Sequence, residues 1–222
     1  MYQSLGEIMA EYITDEERFS ALVNFFKDHK NTFLMIFLIA SIALISSLSY
    51  KSYTASQNAK AAEIYDAWFS SISTEAPSIA DSDDHFNQLQ KKYSRTGYAQ
   101  LARMVRGSSL AREGQLDVAL EDFYELLDAS SGLFGNKMLN SVAKINISRI
   151  ELSNNNFSNV LEVLESFNAN NEHPLVYELR GDALAGLNKN SLALDQYSLA
   201  LQNTQNESEK SILKMKINKL KK

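Results

Sequence analysis

The sequence predicts an all-α protein in which a single N-terminal transmembrane helix precedes an array of helical repeats. Three observations lead to this prediction. One run of twenty residues contains no charged side chain, every periodic stretch from Ala55 onward has helical spacing, and 222 residues include only 2 prolines and 8 glycines. So few prolines and glycines argue against turn-rich β architectures and favour long helices.

The first predicted helix lies in residues 1–30, a short acidic tail. Thr14 and Glu17 have the spacing of a capping box. An apolar stripe follows at helical spacing, formed by Phe19, Leu22, Val23 and Phe26. This pattern predicts a short amphipathic helix that lies on a bilayer or docks on a partner.

The uncharged run, Asn31 to Tyr50, predicts the transmembrane helix. Twenty helical residues span about 30 Å, the thickness of the hydrocarbon core of a bilayer. A buried core helix and a signal peptide cleaved near Ser47 to Ser49 are the alternatives. Because the preceding tail carries six acidic residues, it is unlike the basic start of a signal peptide, and an uncleaved anchor is favoured.

Basic residues on either side of this segment predict its orientation. Three precede it and two follow it: Arg18, Lys27 and Lys30, then Lys51 and Lys60. Since Lys and Arg favour the cytoplasmic side, the sequence predicts a cytoplasmic N-terminus and an external C-terminal domain.

The charge distribution argues against nucleic acid as the main partner. Residues 52–209 hold 12 Lys+Arg against 21 Asp+Glu, a net charge of −9, whereas the last 13 residues hold six lysines and no acid. An acidic body is a poor binder of nucleic acid. The lysine run is interpreted as a solvated helix end, with a small patch for anionic lipid or nucleic acid as the alternative.

Without cysteine, no disulfide, thiolate metal site or cysteine nucleophile exists.

Residues 51–98 predict a helical linker and a degenerate first helix pair. The first stripe consists of Ala61, Tyr65, Trp68 and Ile72, and the second of Phe86, Leu89 and Tyr93. The acidic residues Asp81 to Asp84 are predicted to cap the second helix. Asp83, Asp84 and His85 are less suited to bind a metal ion, because three adjacent residues point in different directions.

Residues 99–206 contain one pattern three times. Two small or branched residues lie twelve positions apart, and a large apolar residue follows four positions later: Gly107, Ala119 and Phe123; Ser148, Val160 and Leu164; Gly181, Ala193 and Tyr197. Between the two small residues lie Gly114, then Asn154 to Asn156, then Asn188 to Asn190. Glycine and asparagine tolerate the left-handed conformation that ends a helix.

This pattern resembles the tetratricopeptide repeat (TPR), a helix-turn-helix unit of about 34 residues. The intervals from Ala119 to Val160 and from Val160 to Ala193 are 41 and 33 residues, and the segment Ser130 to Asn136 is expected to hold the extra seven. A plain antiparallel bundle is the alternative. In such repeats the first helix of each pair usually lines the concave face. The register therefore predicts a partner-binding face formed by Leu101, Met104, Ser108, Arg112, Val142, Ile145, Arg149, Glu178 and Asp182, each of which is equally a candidate for packing between repeats.

Residues 207–222 predict a C-terminal capping helix with a basic end. Leu213, Ile217 and Leu220 lie on one side of it. Because a terminal repeat must cover its apolar edge, an amphipathic helix with a polar outer face suits this position.

The order of these parts resembles the YfgM-type ancillary subunits of the bacterial Sec translocon. The features that carry this resemblance are Phe25-Phe26-Lys27 before the anchor, the Tyr/Trp helix, the degenerate repeats, Arg180 to Leu184 (RGDAL) and Met215 to Leu220 (MKINKL). The tail is several residues longer than in that family, so translation from Met9 is an alternative to Met1.

The resemblance implies a single-pass protein of the bacterial inner membrane with a periplasmic domain. Its implied partners are the SecYEG translocon, a membrane-anchored periplasmic chaperone of the prolyl-isomerase type and exported client proteins. It implies no catalytic residues and no cofactor.

The residues themselves also argue against an enzyme. No nucleophile elbow, phosphate loop or zinc-protease motif occurs, and the three histidines, His29, His85 and His173, are far apart in sequence. We therefore expect neither a metal nor a cofactor. The remaining alternatives are an export-linked adaptor and a membrane-tethered scaffold or regulator of envelope stress or cell division.

Overall fold

The computed structural model describes residues 14–73, 79–133, 135–167 and 173–221, and every regular element within these ranges is an α-helix. The predicted all-α class is therefore confirmed for the described part of the chain. The alternative start at Met9 lies outside these ranges. The chain divides into two units, Met1–Ser56 and Gln57–Lys222.

Helix α1 (Asp15–Asp28) begins with the predicted capping box. The Thr14 hydroxyl accepts a hydrogen bond from the Glu17 amide at 3.3 Å, and the Glu17 carboxylate accepts one from the Thr14 amide at 3.2 Å. Two amide groups at the helix start are thereby satisfied. The stripe residues Phe19 and Phe26 are exposed.

Helix α2 (Lys30–Ile72) has 43 residues and joins the predicted membrane segment to the first stripe of the helical linker. No glycine or proline interrupts residues 30–72, which explains the continuity. By length and composition alone this helix is a candidate membrane span, a test that a signal sequence also passes. Its most apolar window has no buried side chain, which argues against the core-helix alternative.

Helix α3 (Ile79–Tyr93) begins before the acidic residues that were predicted to cap it. The prediction of an N-cap at Asp81 to Asp84 is therefore wrong. Residues 81–84 lie inside the helix rather than before it.

The end of α2 and helix α3 pack on the first turns of α4 (Gly97–Arg112). The core here contains Trp68, which is 2% exposed, and Phe86, whose ring centroid lies 6.0 Å from that of Trp68. Ala61 and Leu89 are fully buried in the same cluster. Both predicted apolar stripes thus face one core.

Three helix pairs follow. The first is α4 with α5 (Leu116–Ala129), the second is α6 (Lys137–Ser153) with α7 (Phe157–Leu164), and the third is α8 (Pro174–Gly186) with α9 (Asn190–Asn203). Consecutive helices pack on one another, and α4 also contacts α6, as α6 contacts α8. This is the stacking expected of a repeat array.

The predicted marker residues lie where the two helices of each pair cross. All six are buried: Gly107, Ala119, Ser148, Val160, Gly181 and Ala193. A Cβ atom on Gly107 would lie 3.2 Å from the Phe123 ring, and one on Gly181 would overlap the Tyr197 ring. Each glycine thus makes room for the large residue of its own repeat.

The three turns within the pairs have the same backbone geometry. Gly114, Asn155 and Asn188 have positive φ angles of 81°, 61° and 58°. In each turn the next amide bonds back to a carbonyl five residues earlier, as from Gln115 to Leu110 at 2.9 Å. These are Schellman-type helix ends, and the predicted left-handed glycine and asparagines are confirmed.

The extra residues of the middle interval lie in helices rather than in Ser130 to Asn136. Helix α5 has 14 residues against 8 in α7, and α6 has 17 against 13 in α8. The connection across residues 130–136 is shorter than the one across 165–173. The prediction placed the insertion in the loop because polar residues and glycines there suggested one.

Helix α10 (Glu207–Leu220) packs on α9 and covers the end of the array. Leu213 is 1% exposed, and Ile217 and Leu220 pack against the cluster that contains Tyr197 and Ala200. The predicted capping stripe is therefore confirmed. Asn206 caps the helix through the amides of the second and third helical residues.

Candidate functional site

The residues predicted for the partner-binding face lie at equivalent positions on the first helix of each pair. Eight of them are counted from the small residue of the first helix, Gly107, Ser148 or Gly181: they lie six or three residues before it or one residue after it. The ninth, Arg112, is the last residue of α4. We call this surface the helix-A face, formed by Leu101, Met104, Ser108, Arg112, Val142, Ile145, Arg149, Glu178 and Asp182.

Two apolar members of the helix-A face pack between repeats. Met104 contacts the core cluster that includes Leu139 and Ile147 of the second repeat. Ile145 contacts the cluster that includes Leu179 of the third repeat. Both side chains are half-buried, so they hold adjacent repeats together and present only an edge to a partner.

The exposed cations of the helix-A face are Arg112 and Arg149. The Arg112 Nε donates to the Ser108 carbonyl at 3.2 Å, and the Ser108 hydroxyl donates to the Met104 carbonyl at 2.6 Å. Ser108 is thereby committed to its own helix. The two arginines lie beside half-buried apolar residues, in a part of the chain whose net charge is negative.

The acidic members, Glu178 and Asp182, bind a lysine of the terminal helix. Lys216 Nζ lies 2.7 Å from the Glu178 Oε1 and 2.7 Å from the Asp182 Oδ1. The Tyr197 hydroxyl donates to the same Asp182 oxygen at 2.8 Å. These carboxylates therefore anchor α10 on α8, and a partner that used them would have to displace Lys216.

Electrostatics agree with this arrangement. Burial lowers the pKa of Lys216, but its hydrogen bonds and ion pairs with Asp182 and Glu178 outweigh burial and raise the pKa above its ordinary value. Burial, followed by the charge of Asp182, raises the pKa of Tyr197. The sequence suggests that the C-terminal lysines form a solvated basic end. This is wrong for Lys216, which pairs with Glu178 and Asp182. Its spacing from Leu213 and Leu220, three and four residues, was the available signal.

Comparison with protein families supports a tetratricopeptide-like helical protein. A family model described as a tetratricopeptide repeat-like domain matches residues 24–222. The chain belongs to this tetratricopeptide repeat-like family. No curated protein and no solved structure matches the chain. The match begins within α1 and includes α2, so the apolar helix lies inside the region that the family model covers.

TPR-like domains are typical of protein-interaction scaffolds, and they are typically non-catalytic. Among the residues that the structure describes, no group of three or more His, Cys, Asp or Glu side chains is arranged to hold a metal ion. The TPR-like domain therefore suggests protein partners in general.

The TPR-like array also contains a buried ionic network that the sequence analysis missed. Asp122 of α5 lies 3.1 Å from Arg103 and 3.0 Å from Arg106, both on α4. Arg103 also donates to the Gln90 side chain at 2.9 Å, and the Arg106 guanidinium lies 4.4 Å from the Phe86 ring centroid. The network therefore ties α3 to the first repeat, α4 and α5.

Burial dominates the electrostatics of Asp122. It raises the pKa of this carboxyl, while Arg106 and Arg103 offset part of that effect. Arg103 and Arg106 are separated by three residues and precede Asp122 by 19 and 16 residues. Helical periodicity within one helix does not reveal such a pairing, because it depends on how two helices cross.

Proposed function

We propose that this chain is a non-enzymatic ancillary subunit of the bacterial Sec translocon. In this proposal α2 anchors the protein in the inner membrane, the N-terminus is cytoplasmic, and the TPR-like domain assists newly exported proteins in the periplasm with a membrane-anchored chaperone of the prolyl-isomerase type. The observation that carries it is that α2 contains both the apolar segment and the first stripe of the helical domain. The resemblance to YfgM-type subunits supplies the partners.

Anchoring suits weak and transient binding. A tethered domain meets a partner in the same membrane at a high effective concentration, on the millimolar scale for short flexible linkers. The affinity for each client can then stay low, and a low affinity lets a client bind and leave during export.

The helix-A face offers this binding mode through two kinds of group. Arg112 and Arg149 are exposed and suit backbone carbonyls or acidic side chains of an extended client. The half-buried Leu101 and Val142 supply apolar contact beside them. Glu178 and Asp182 contribute only where Lys216 is displaced, so we place the binding surface on the first two repeats.

A site-specific photocrosslinker in the full-length protein tests this surface. We expect crosslinks to exported chains or to the chaperone from positions 112 and 149, with a control at Glu121, an exposed residue on the second helix of the first repeat. Capture at position 121 equal to that at positions 112 and 149 would contradict the helix-A face as the binding surface.

Copurification from gently solubilised membranes tests the assignment itself. The proposal requires translocon subunits among the copurifying proteins. Recovery of signalling or division proteins in their place would favour the alternative of a membrane-tethered scaffold or regulator.

We also expect the protein to stay in the membrane fraction after carbonate or high-salt washing. Burial of twenty uncharged residues does not depend on ionic strength, whereas surface charge contacts are screened within about 10 Å at 0.1 M salt. Immunoblotting of washed membranes provides the measurement, and protease added to spheroplasts should digest the C-terminal domain. A soluble fragment that begins near Tyr50 without added protease would establish signal cleavage instead.

A further inference from the structure

A polar pocket lies between the first and second repeats, on the side where α6 begins. Its volume is about 410 Å³, and its walls come from α6, from the segment that follows α5 and from the two residues Ser166 and Phe167. Small-molecule sites in proteins typically measure about 300 to 1,000 Å³. The pocket is therefore large enough for a small organic ligand.

One face of α6 supplies most of the polar groups. Lys137, Asn140, Ser141 and Lys144 all line the pocket, and their spacing of three, four and seven residues puts them on one side of the helix. The positive end of the dipole of this 17-residue helix lies at the same place. This wall therefore carries two positive charges, and the helix dipole acts at its Lys137 end.

In the part of the chain that the structure describes, neither lysine of this wall has an acidic partner. No acidic residue is among the described residues that line the pocket, and within the described ranges neither Lys137 nor Lys144 forms an ion pair. By contrast, Lys210 and Lys216 of α10 do form ion pairs with carboxylates. Lys144 differs from exposed lysines without an ion pair, such as Lys189, because it is half-buried beside this cavity.

Lys144 is held in position although it lacks a carboxylate partner. Its Nζ lies 2.5 Å from the Ser166 hydroxyl and 5.4 Å from the centroid of the Phe167 ring. Burial lowers its pKa, so the protein environment disfavours the ammonium form. A bound anion would remove this penalty.

Hydrogen bonds also link α6 to the opposite wall of the pocket. The Asn140 side-chain amide donates to the Ser131 hydroxyl at 3.0 Å and to the Leu127 carbonyl at 3.3 Å. The Ser131 hydroxyl in turn donates to the Leu127 carbonyl at 2.6 Å. These contacts fix the side chains before any ligand arrives, which lowers the entropic cost of binding.

We propose that this pocket binds the oxyanion group of a small molecule, a phosphate or a carboxylate, between the ammonium groups of Lys137 and Lys144. The Ser166 and Ser141 hydroxyls border the oxyanion, and the Phe167 ring borders the organic part of the ligand. Two cations favour a dianion, so a phosphate group binds more tightly than a single carboxylate.

Calorimetric titration of the full-length protein in detergent micelles, with inorganic phosphate and with acetate at constant ionic strength, tests the pocket. We expect saturable binding of phosphate. Lys144→Gln should weaken it about tenfold, the effect of losing one charge-assisted hydrogen bond. Lys144→Arg, which keeps the cation, should retain binding.

Lys189→Gln is the matched control, because it removes the same charge from an exposed residue outside the pocket. Its affinity should remain within about twofold of the parent protein, since only nonspecific attraction changes. Tighter binding of acetate than of phosphate would assign carboxylate ligands to the pocket and still support it. Failure of both anions to bind, or equal losses in Lys144→Gln and Lys189→Gln, would overturn the proposal.

Discussion

Gly181→Leu should strongly destabilise the TPR-like domain. A Cβ at this position would overlap the Tyr197 ring, and a leucine adds three further carbons to a crossing that is already closed. Overpacking of this kind costs about 1 to 3 kcal/mol, and each kcal/mol lowers the melting temperature of a domain of this size by about 2 to 4 °C. Thermal unfolding followed by far-ultraviolet circular dichroism measures the change.

Two other glycines calibrate this result. Gly107→Ala should cost less than Gly181→Ala, because a Cβ at Gly107 would lie 3.2 Å from the Phe123 ring, a distance that a small shift relieves. Gly97→Ala has nothing within 4 Å of its Cβ and should not destabilise the protein. A melting temperature of Gly181→Leu equal to that of the parent protein would contradict the register in which Gly181 and Tyr197 meet.

The sequence predicted the repeat register because the responsible constraints are local. The close helix crossings require small residues at fixed spacing, and the turns require a left-handed residue, here Gly114, Asn155 and Asn188. The intervals between these residues are short, so no knowledge of the tertiary structure was needed.

The errors concern helix lengths and pairs that are distant in sequence. The acidic residues before Phe86 suggested a helix start, but nothing in the sequence stops α3 from beginning at Ile79. The segment 130–136 looked like an insertion, although the extra residues extend α5 and α6. Both cases agree with the general finding that helix boundaries are less certain than helix existence.

The helix-A face was partly predictable for the same reason. Its register follows from the repeat, but the engagement of Glu178 and Asp182 by Lys216 depends on where α10 docks. That contact joins residues 34 and 38 positions apart, across two helix connections. No periodicity within a single helix encodes it.

Asp122→Ala should strongly destabilise the interface between α4 and α5. The Asp122 side chain is 3% exposed, and it is the shared partner of Arg103 and Arg106, whose side chains are 13% and 32% exposed. Removing one member of a buried ion pair costs about 3 to 5 kcal/mol, and we expect about 3 kcal/mol because Arg106 regains water readily. Urea unfolding measures this loss, and the fluorescence of Trp68 reports it directly, since Trp68 is the single tryptophan and packs on Phe86 beneath Arg106.

Asp122→Asn separates the charge of this residue from its shape. Because burial raises the pKa of Asp122, the carboxylate charge itself is poorly stabilised in the folded protein. An asparagine keeps an acceptor oxygen for the arginines without that charge, so it should cost well under half as much as alanine. The matched control is Glu121→Ala, an exposed neighbour on the same helix, with an expected effect within about 0.5 kcal/mol. If Asp122→Ala were no more destabilising than Glu121→Ala, the network would contribute little to stability, and the packing of Trp68, Phe86 and Leu89 alone would join α2 and α3 to the repeats.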